Sequence, residues 1–218
     1  MANLTCIHTD SSRTNLGSNK LSSLPKEIGN LKNLSTLTLS GNQLVGLPKE
    51  IGNLKQLTYL ELYYCKIKSL PKEIGNLSKL DKLNLMDNKL RSLPKEIENL
   101  KNLSTLILTW NLFSSIPKEI GNLKNLTSLY LSENRLSSLP KEIGNLKNLS
   151  KLSLSGNRLS SLPKEIGNLK NLQKLYLYEN NFSLSEKKRI KKILPDCKTY
   201  WRYFLVHINN SLRRGLSR

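Results

Sequence analysis

The residues able to do covalent or metal chemistry are few and scattered. Two histidines, His8 and His207, stand at opposite ends of the 218-residue chain. Cys6, Cys65 and Cys197 are far apart and odd in number, which suits neither a disulfide framework nor a metal-ligand cluster. No Ser-His-Asp set, phosphate loop or convergent carboxylate pair is present. The sequence therefore predicts a protein that is not an enzyme and uses no cofactor or metal. What remains is non-covalent recognition. Its candidates are large side chains that recur at multiples of one interval: Tyr59, Tyr63, Tyr64, Met86, Ile107, Trp110 and Tyr130, then Tyr176 and Tyr178. Exposed apolar clusters commonly mark binding sites, and Tyr and Trp are favoured anchors.

The interval is 23 residues. From Leu24 onward LPKEIGNLKNLSTLTLSGNQLVG recurs in seven copies without insertion, starting at Leu24, Leu47, Leu70, Leu93, Ile116, Leu139 and Leu162. A degenerate half-copy with Leu16, Asn19 and Leu21 precedes them. In the first copy the apolar positions are Leu24, Ile28, Leu31, Leu34, Leu37, Leu39 and Leu44. Across the copies all forty-nine such positions are Leu, Ile or Phe. Leu37 and Leu39 alternate with polar residues, as in a strand, whereas Leu24, Ile28, Leu31 and Leu34 follow helical spacing. Pro25 is placed to open that helical or 3-10 return, where its missing N–H costs nothing. One such unit cannot bury its own apolar face. Units must stack, which predicts an α/β solenoid with one parallel sheet.

Two columns of the repeat carry further expectations. Asn42 recurs as Asn88, Asn111, Asn134, Asn157 and Asn180, so its amide is predicted to satisfy turn backbone that no ladder reaches. Cys65 takes that place in the second copy, which predicts a buried structural thiol. Gly29 recurs but becomes Glu98 in the fourth copy, which predicts negative φ inside the return.

This pattern resembles the leucine-rich repeat family. Its PKEIGNLKNL return is similar to that of the secreted or surface repeat proteins of leptospiral bacteria. Ser185–Tyr200, SEKKRIKKILPDCKTY, resembles the C-terminal cap of that group. The resemblance covers about residues 14–200. It implies a horseshoe with a concave parallel sheet, a role in host or protein recognition, and a secreted or cell-surface location. The N-terminus, MANLTCIHTD, has neither the basic region nor the apolar core of a signal peptide, which makes an intracellular, cytoplasmic scaffold the alternative.

In a half-buried strand the residues between the leucines point outward, here onto the concave face. That face holds the aromatic candidates together with Glu61, against a Ser/Thr background that includes Ser132 and Ser155. The competing reading is that aromatics merely suit strand surfaces and pack across strands. The chain divides into residues 1–23, the seven copies over 24–184, and a basic end over 185–218. The net charge of +19 is diffuse, with +8 in that last segment. There Ser185 is placed to cap a helix with an apolar stripe of Ile190, Ile193 and Leu194. Lys187, Lys188, Arg189, Lys191 and Lys192 are expected on its outer face, a possible site for a polyanionic glycan such as a glycosaminoglycan. Tyr200, Phe204, Ile208 and Leu212 then recur every four residues, which reads as an amphipathic basic helix or tail able to meet a membrane surface. A protein partner, with a host surface as its expected setting, is the leading expectation. Nucleic acid and small-molecule substrates are not expected, and the oligomeric state is left open. The N-L-[ST] triplets at Asn33, Asn76, Asn102, Asn125 and Asn148 recur with the unit and carry no separate information on glycosylation.

Overall fold

A computed structural model describes residues 12–202 and places nine three-residue strands side by side, in chain order, in one parallel sheet. These are β1 (Arg13–Asn15), β2 (Thr36–Thr38), β3 (Tyr59–Glu61), β4 (Lys82–Asn84), β5 (Thr105–Ile107), β6 (Ser128–Tyr130), β7 (Lys151–Ser153), β8 (Lys174–Tyr176) and β9 (Lys198–Tyr200). The insertion-free repeat sets the register. Each residue pairs with the one 23 positions on, as in Leu37 with Leu60, until β9, where Lys174 meets Lys198. A slip of one residue would turn every central leucine outward, so the pairing is strongly specified.

The returns are 3-10 turns such as Lys26–Asn30 and Lys118–Asn122. Five residues are too few for a lasting α-helix, and bonds such as Ile28 N–H to Pro25 O (3.2 Å) close the tighter spiral. Pro25 stands one place earlier than expected, at the N-cap with extended ψ of 158°. Gly29 keeps negative φ, as its replacement by Glu98 implied. Its glycine answers to packing instead: a Cβ there would lie 2.7 Å from the Glu50 carbonyl oxygen of the next return. Glu98 is accommodated, and its Oε2 accepts a bond from Asn122 Nδ2 at 2.7 Å.

Of the forty-nine apolar repeat positions all but Leu47 are buried, forming one continuous column. The asparagines line its edge. Asn88 Oδ1 accepts from Ile67 N–H (3.0 Å), while Nδ2 donates to Leu62 O (2.8 Å) and Leu85 O (3.1 Å). Asn111 and Asn134 repeat the pattern. Cys65 is buried in the same column, its thiol 3.5 Å from Leu39 O. It can donate like the amide but offers no oxygen to accept.

The ends depart from the repeat. In β1, Thr14 occupies the position of Leu37 and is buried with no partner for its hydroxyl. At the other end α1 (Leu184–Ile193) lies over the last return, with Ile190 and Leu194 buried and Ile193 packed against the core. Its cap is Ser183, not Ser185: Ser183 Oγ accepts from Glu186 N–H at 3.2 Å. Tyr200 lies in β9, which overturns a helical series starting there; Phe204, Ile208 and Leu212 fall outside the described residues. Among the described residues no helix is long and apolar enough to cross a membrane.

Candidate functional site

Strands β3 to β6 bring the expected aromatic candidates onto one face. Tyr59, Glu61, Ile107 and Tyr130 occupy outward strand positions, half-buried by their neighbours, and Tyr63 and Met86 follow just beyond. Tyr64 and Trp110 are the large residues that stand clear of the surface, at 56% and 47% exposure. The Tyr63 and Tyr64 rings lie 5.9 Å apart. Burial pushes the phenol pKa of Tyr59 up, with Glu61 adding to it; at Tyr63 burial again leads and the Asp87 charge adds.

Tyr176 and Tyr178, separate from this cluster in the sequence, are joined to it by Lys151. Its Nζ lies 4.9 Å from the Tyr130 ring and 5.8 Å from the Tyr176 ring, within reach of cation–π attraction. Tyr176 in turn stacks on Tyr200 at 4.5 Å with the rings 8° from parallel. Sequence reasoning missed Tyr200 here because it assigned the residue to a helix or extended tail beyond the sheet. Ser132 and Ser155, expected to face outward, are buried; Ser132 Oγ is 2.6 Å from Ser153 Oγ.

The residue after each Tyr63-type position forms a ridge with left-handed backbone. It runs Gly41, Tyr64, Asp87, Trp110, Glu133, Gly156 and Glu179, with φ between 53° and 71°. An L-residue with a side chain gives up roughly 1–2 kcal/mol in that conformation, and glycine does not. Two copies use glycine, so the turn itself needs no side chain. Burial raises the carboxyl pKa of Asp87 and of Glu133, with Glu179 adding at Glu133 and Lys89 opposing at Asp87. The opposite rim of the sheet carries Lys82, Lys151, Lys174 and Lys198. The face thus has an aromatic middle, acids along one rim and cations along the other. It can grip a polypeptide, but among the described residues no group of His, Cys, Asp or Glu gathers that could hold a metal ion.

The cap helix offers fewer outward cations than its sequence suggested. Lys188, Lys191 and Lys192 are exposed. Arg189 turns back: it pairs with Glu186 at 2.6 Å and donates to Leu162 O at 2.5 Å. Hydrogen bonding from Arg189 holds the Glu186 carboxyl below its ordinary pKa. Lys187 Nζ lies 5.5 Å over the Trp201 ring. Cys197 is packed against the core, and burial pushes its thiol up to about 11.

Residues 49–133 match a family model described as a leucine-rich repeat region, and residues 14–67 and 124–182 match one described as leucine rich repeat. A leucine-rich repeat protein of Leptospira interrogans is 32% identical, the match covering 86% of this chain and 83% of that one, with a TM-score of 0.54. The chain belongs to the leucine-rich repeat family. The leucine-rich repeat ectodomain of the membrane receptor kinase GASSHO1/SCHENGEN3 from Arabidopsis thaliana, solved with Casparian strip integrity factor 2, is 36% identical. That match covers 88% of this chain but only 24% of the receptor chain, with a TM-score of 0.75. An internalin from Listeria monocytogenes shares the fold at 23% identity, with 90% and 62% of the two chains covered and a TM-score of 0.69. No curated protein matches the chain. Leucine-rich repeats of this kind are typically protein-binding modules.

In this leucine-rich repeat chain the sequence reading found one side-chain ladder and overlooked two. Asn102, Asn125 and Asn148, three of the N-L-[ST] asparagines, donate from Nδ2 to the carbonyls of Ser78, Lys101 and Lys124 at 2.6–2.9 Å. Thr58, Thr127 and Ser150 donate from their hydroxyls to the carbonyls of Ser35, Ser104 and Thr127, each 23 residues back. The signal was the same period. It was passed over because these side chains are exposed, where a polar residue needs no partner.

Proposed function

We propose that this chain is a non-enzymatic recognition module of a secreted or cell-surface bacterial protein, which binds a host protein across β3 to β6 of its concave face. The observation that carries this reading is the ridge: Tyr64 and Trp110 are exposed aromatics at positive φ, where Gly41 and Gly156 serve the turn without strain. Strain kept at an exposed aromatic supports a contact outside the chain. The complex of the plant receptor ectodomain supports a protein ligand, and the Leptospira relative supports a bacterial setting.

The test is a pull-down from host-cell membrane extracts with the intact chain as bait, followed by affinity measurement with the partner recovered. Replacing Tyr63, Trp110 and Tyr130 together with Ala weakens that affinity by at least about 2 kcal/mol while circular dichroism stays the same. Unchanged affinity in the triple variant moves the site elsewhere, and native protein found only inside the cell favours the scaffold reading.

A further inference from the structure

Beyond the asparagine ladder, the chain turns away from the ridge towards the convex returns, and this flank is regular in backbone but not in composition. Backbone bonds tie neighbouring passes together: Lys66 N–H to Leu44 O (3.0 Å), Lys68 N–H to Val45 O (3.1 Å), Lys89 N–H to Ile67 O (2.9 Å) and Leu112 N–H to Leu90 O (2.9 Å). Across the first four copies an open groove of about 630 Å³ runs along it, lined by Val45, Lys66, Lys68, Lys89, Arg91 and Leu112. Val45 is 54% exposed, and all four cations are exposed.

The cations form a block. Lys66 and Lys89 hold one position of successive copies, and Lys68 and Arg91 hold the position two residues on. Successive passes of such a ladder lie about 5 Å apart, so like charges face each other, an arrangement that destabilises. Among the described residues no acid forms an ion pair with these cations. Among the described residues the ion pair found is Glu186–Arg189, far from this flank. Asp87 is acted on by Lys89 but sits on the ridge, where burial raises its pKa.

Nor does the scaffold ask for these side chains. Later copies place Ser114, Ser137 and Ser160 where Lys68 and Arg91 stand, and the Lys66 and Lys89 position, basic again at Arg135 and Arg158, is Gln43, Leu112 and Asn181 in the first, fourth and last copies. Of the seven copies only the second and third carry cations at both positions, so the doubled charge gathers in one groove, with an apolar residue at each end of it.

We propose that the groove between Val45 and Leu112 is a second binding site, which takes an extended acidic peptide segment with apolar side chains between its carboxylates. Lys66, Lys68, Lys89 and Arg91 receive the carboxylates, and Val45 and Leu112 receive the apolar side chains. The two apolar ends favour a peptide over a sulfated glycan, which has nothing to bury there. The site stands independently of the concave aromatic face.

The probe is a fluorescein-labelled peptide of paired glutamates separated by single leucines, followed by anisotropy with the full chain. K66Q/K68S/K89Q/R91S borrows residues that other copies carry at these positions. It weakens binding about tenfold or more, the sum expected from four exposed charge contacts. Neutralising the cap with K188Q/K191Q/K192Q changes it less than about twofold, and the Tyr63, Trp110 and Tyr130 triple variant binds as before. V45S/L112Q, which removes no charge, weakens the leucine peptide about threefold and leaves a serine-for-leucine peptide unaffected. No binding by the wild type, or equal loss in the groove and cap variants, overturns the proposal, since general positive charge then explains everything. A heparin oligosaccharide that binds more tightly than the peptide and ignores V45S/L112Q overturns it in favour of a glycan.

Discussion

In the convex returns, Gly29, Gly52 and Gly121 sit at negative φ, yet a Cβ on any of them would collide with the glutamate of the next copy. On the concave ridge seven aligned residues sit at φ of 53–71°, where glycine is at ease, yet only Gly41 and Gly156 keep it. Glycine is retained where contact between copies demands it and given up where conformation alone would favour it. The returns are thus governed by stacking, and the ridge, which stacking leaves free to vary, is where we propose that a partner binds. The same division runs through the rest of the unit: KEIGN varies at one residue among the seven copies, while the ridge carries Gly, Tyr, Asp, Trp and Glu.

The contrast is broken most directly at the returns. Gly121→Ala drives a Cβ into the Glu142 backbone and is expected to lower stability by about 3 kcal/mol in chemical denaturation, as overpacking does. A loss below about 1 kcal/mol would mean that the crowding around this glycine is relieved at little cost. At the ridge the sign reverses. Trp110→Gly relieves the left-handed strain and should raise stability by about 1 kcal/mol, while weakening partner binding. A Trp110→Gly protein that is both less stable and fully active would remove the case for the ridge as a binding feature.

A smaller effect is expected between the two regions, at Cys65. Cys65→Asn restores an acceptor for the turn and should add about 1 kcal/mol. The native thiol, buried and with its pKa raised by burial, should resist thiol reagents until the solenoid unfolds. Rapid labelling of the folded chain would overturn its place in the column.

The smallest effect concerns pH, and it separates the cap from the ridge. The Glu186 pKa is lowered in the fold, so its stabilisation is complete above the ordinary carboxylate pKa and fades as pH falls through the lowered value. Asp87 and Glu133 are raised, so the fold binds their protons more tightly and stability declines as pH rises through the raised values. Melting curves of E186Q should lose the first dependence, and those of D87N and E133Q the second. Identical pH profiles in all three variants would show that these carboxyls do not distinguish the regions.

The 23-residue period by itself determined the parallel stack, the leucine column, the asparagine edge and the place of Cys65, because burial repeats with the unit and each layer needs only its neighbours. It also placed Tyr59, Ile107 and Tyr130 on one face, since strand alternation settles which side chains point outward; Tyr63, Tyr64, Met86 and Trp110 lie beyond the strands, where alternation no longer decides and Ser132 and Ser155 turn inward. Tertiary structure decided what depends on distances between units. Two serines could cap α1, and Ser183 does so in the arrangement that docks Glu186 on the Leu162 N–H at 3.0 Å. Tyr200 reaches Tyr176 because the last unit is 24 residues long and ends in a strand. The positive φ of Trp110, the crowding around Gly121 and the block of Lys66, Lys68, Lys89 and Arg91 arise only when separate copies are brought to strand spacing. Periodicity says which way a residue faces, and only the stacked chain says what it meets there.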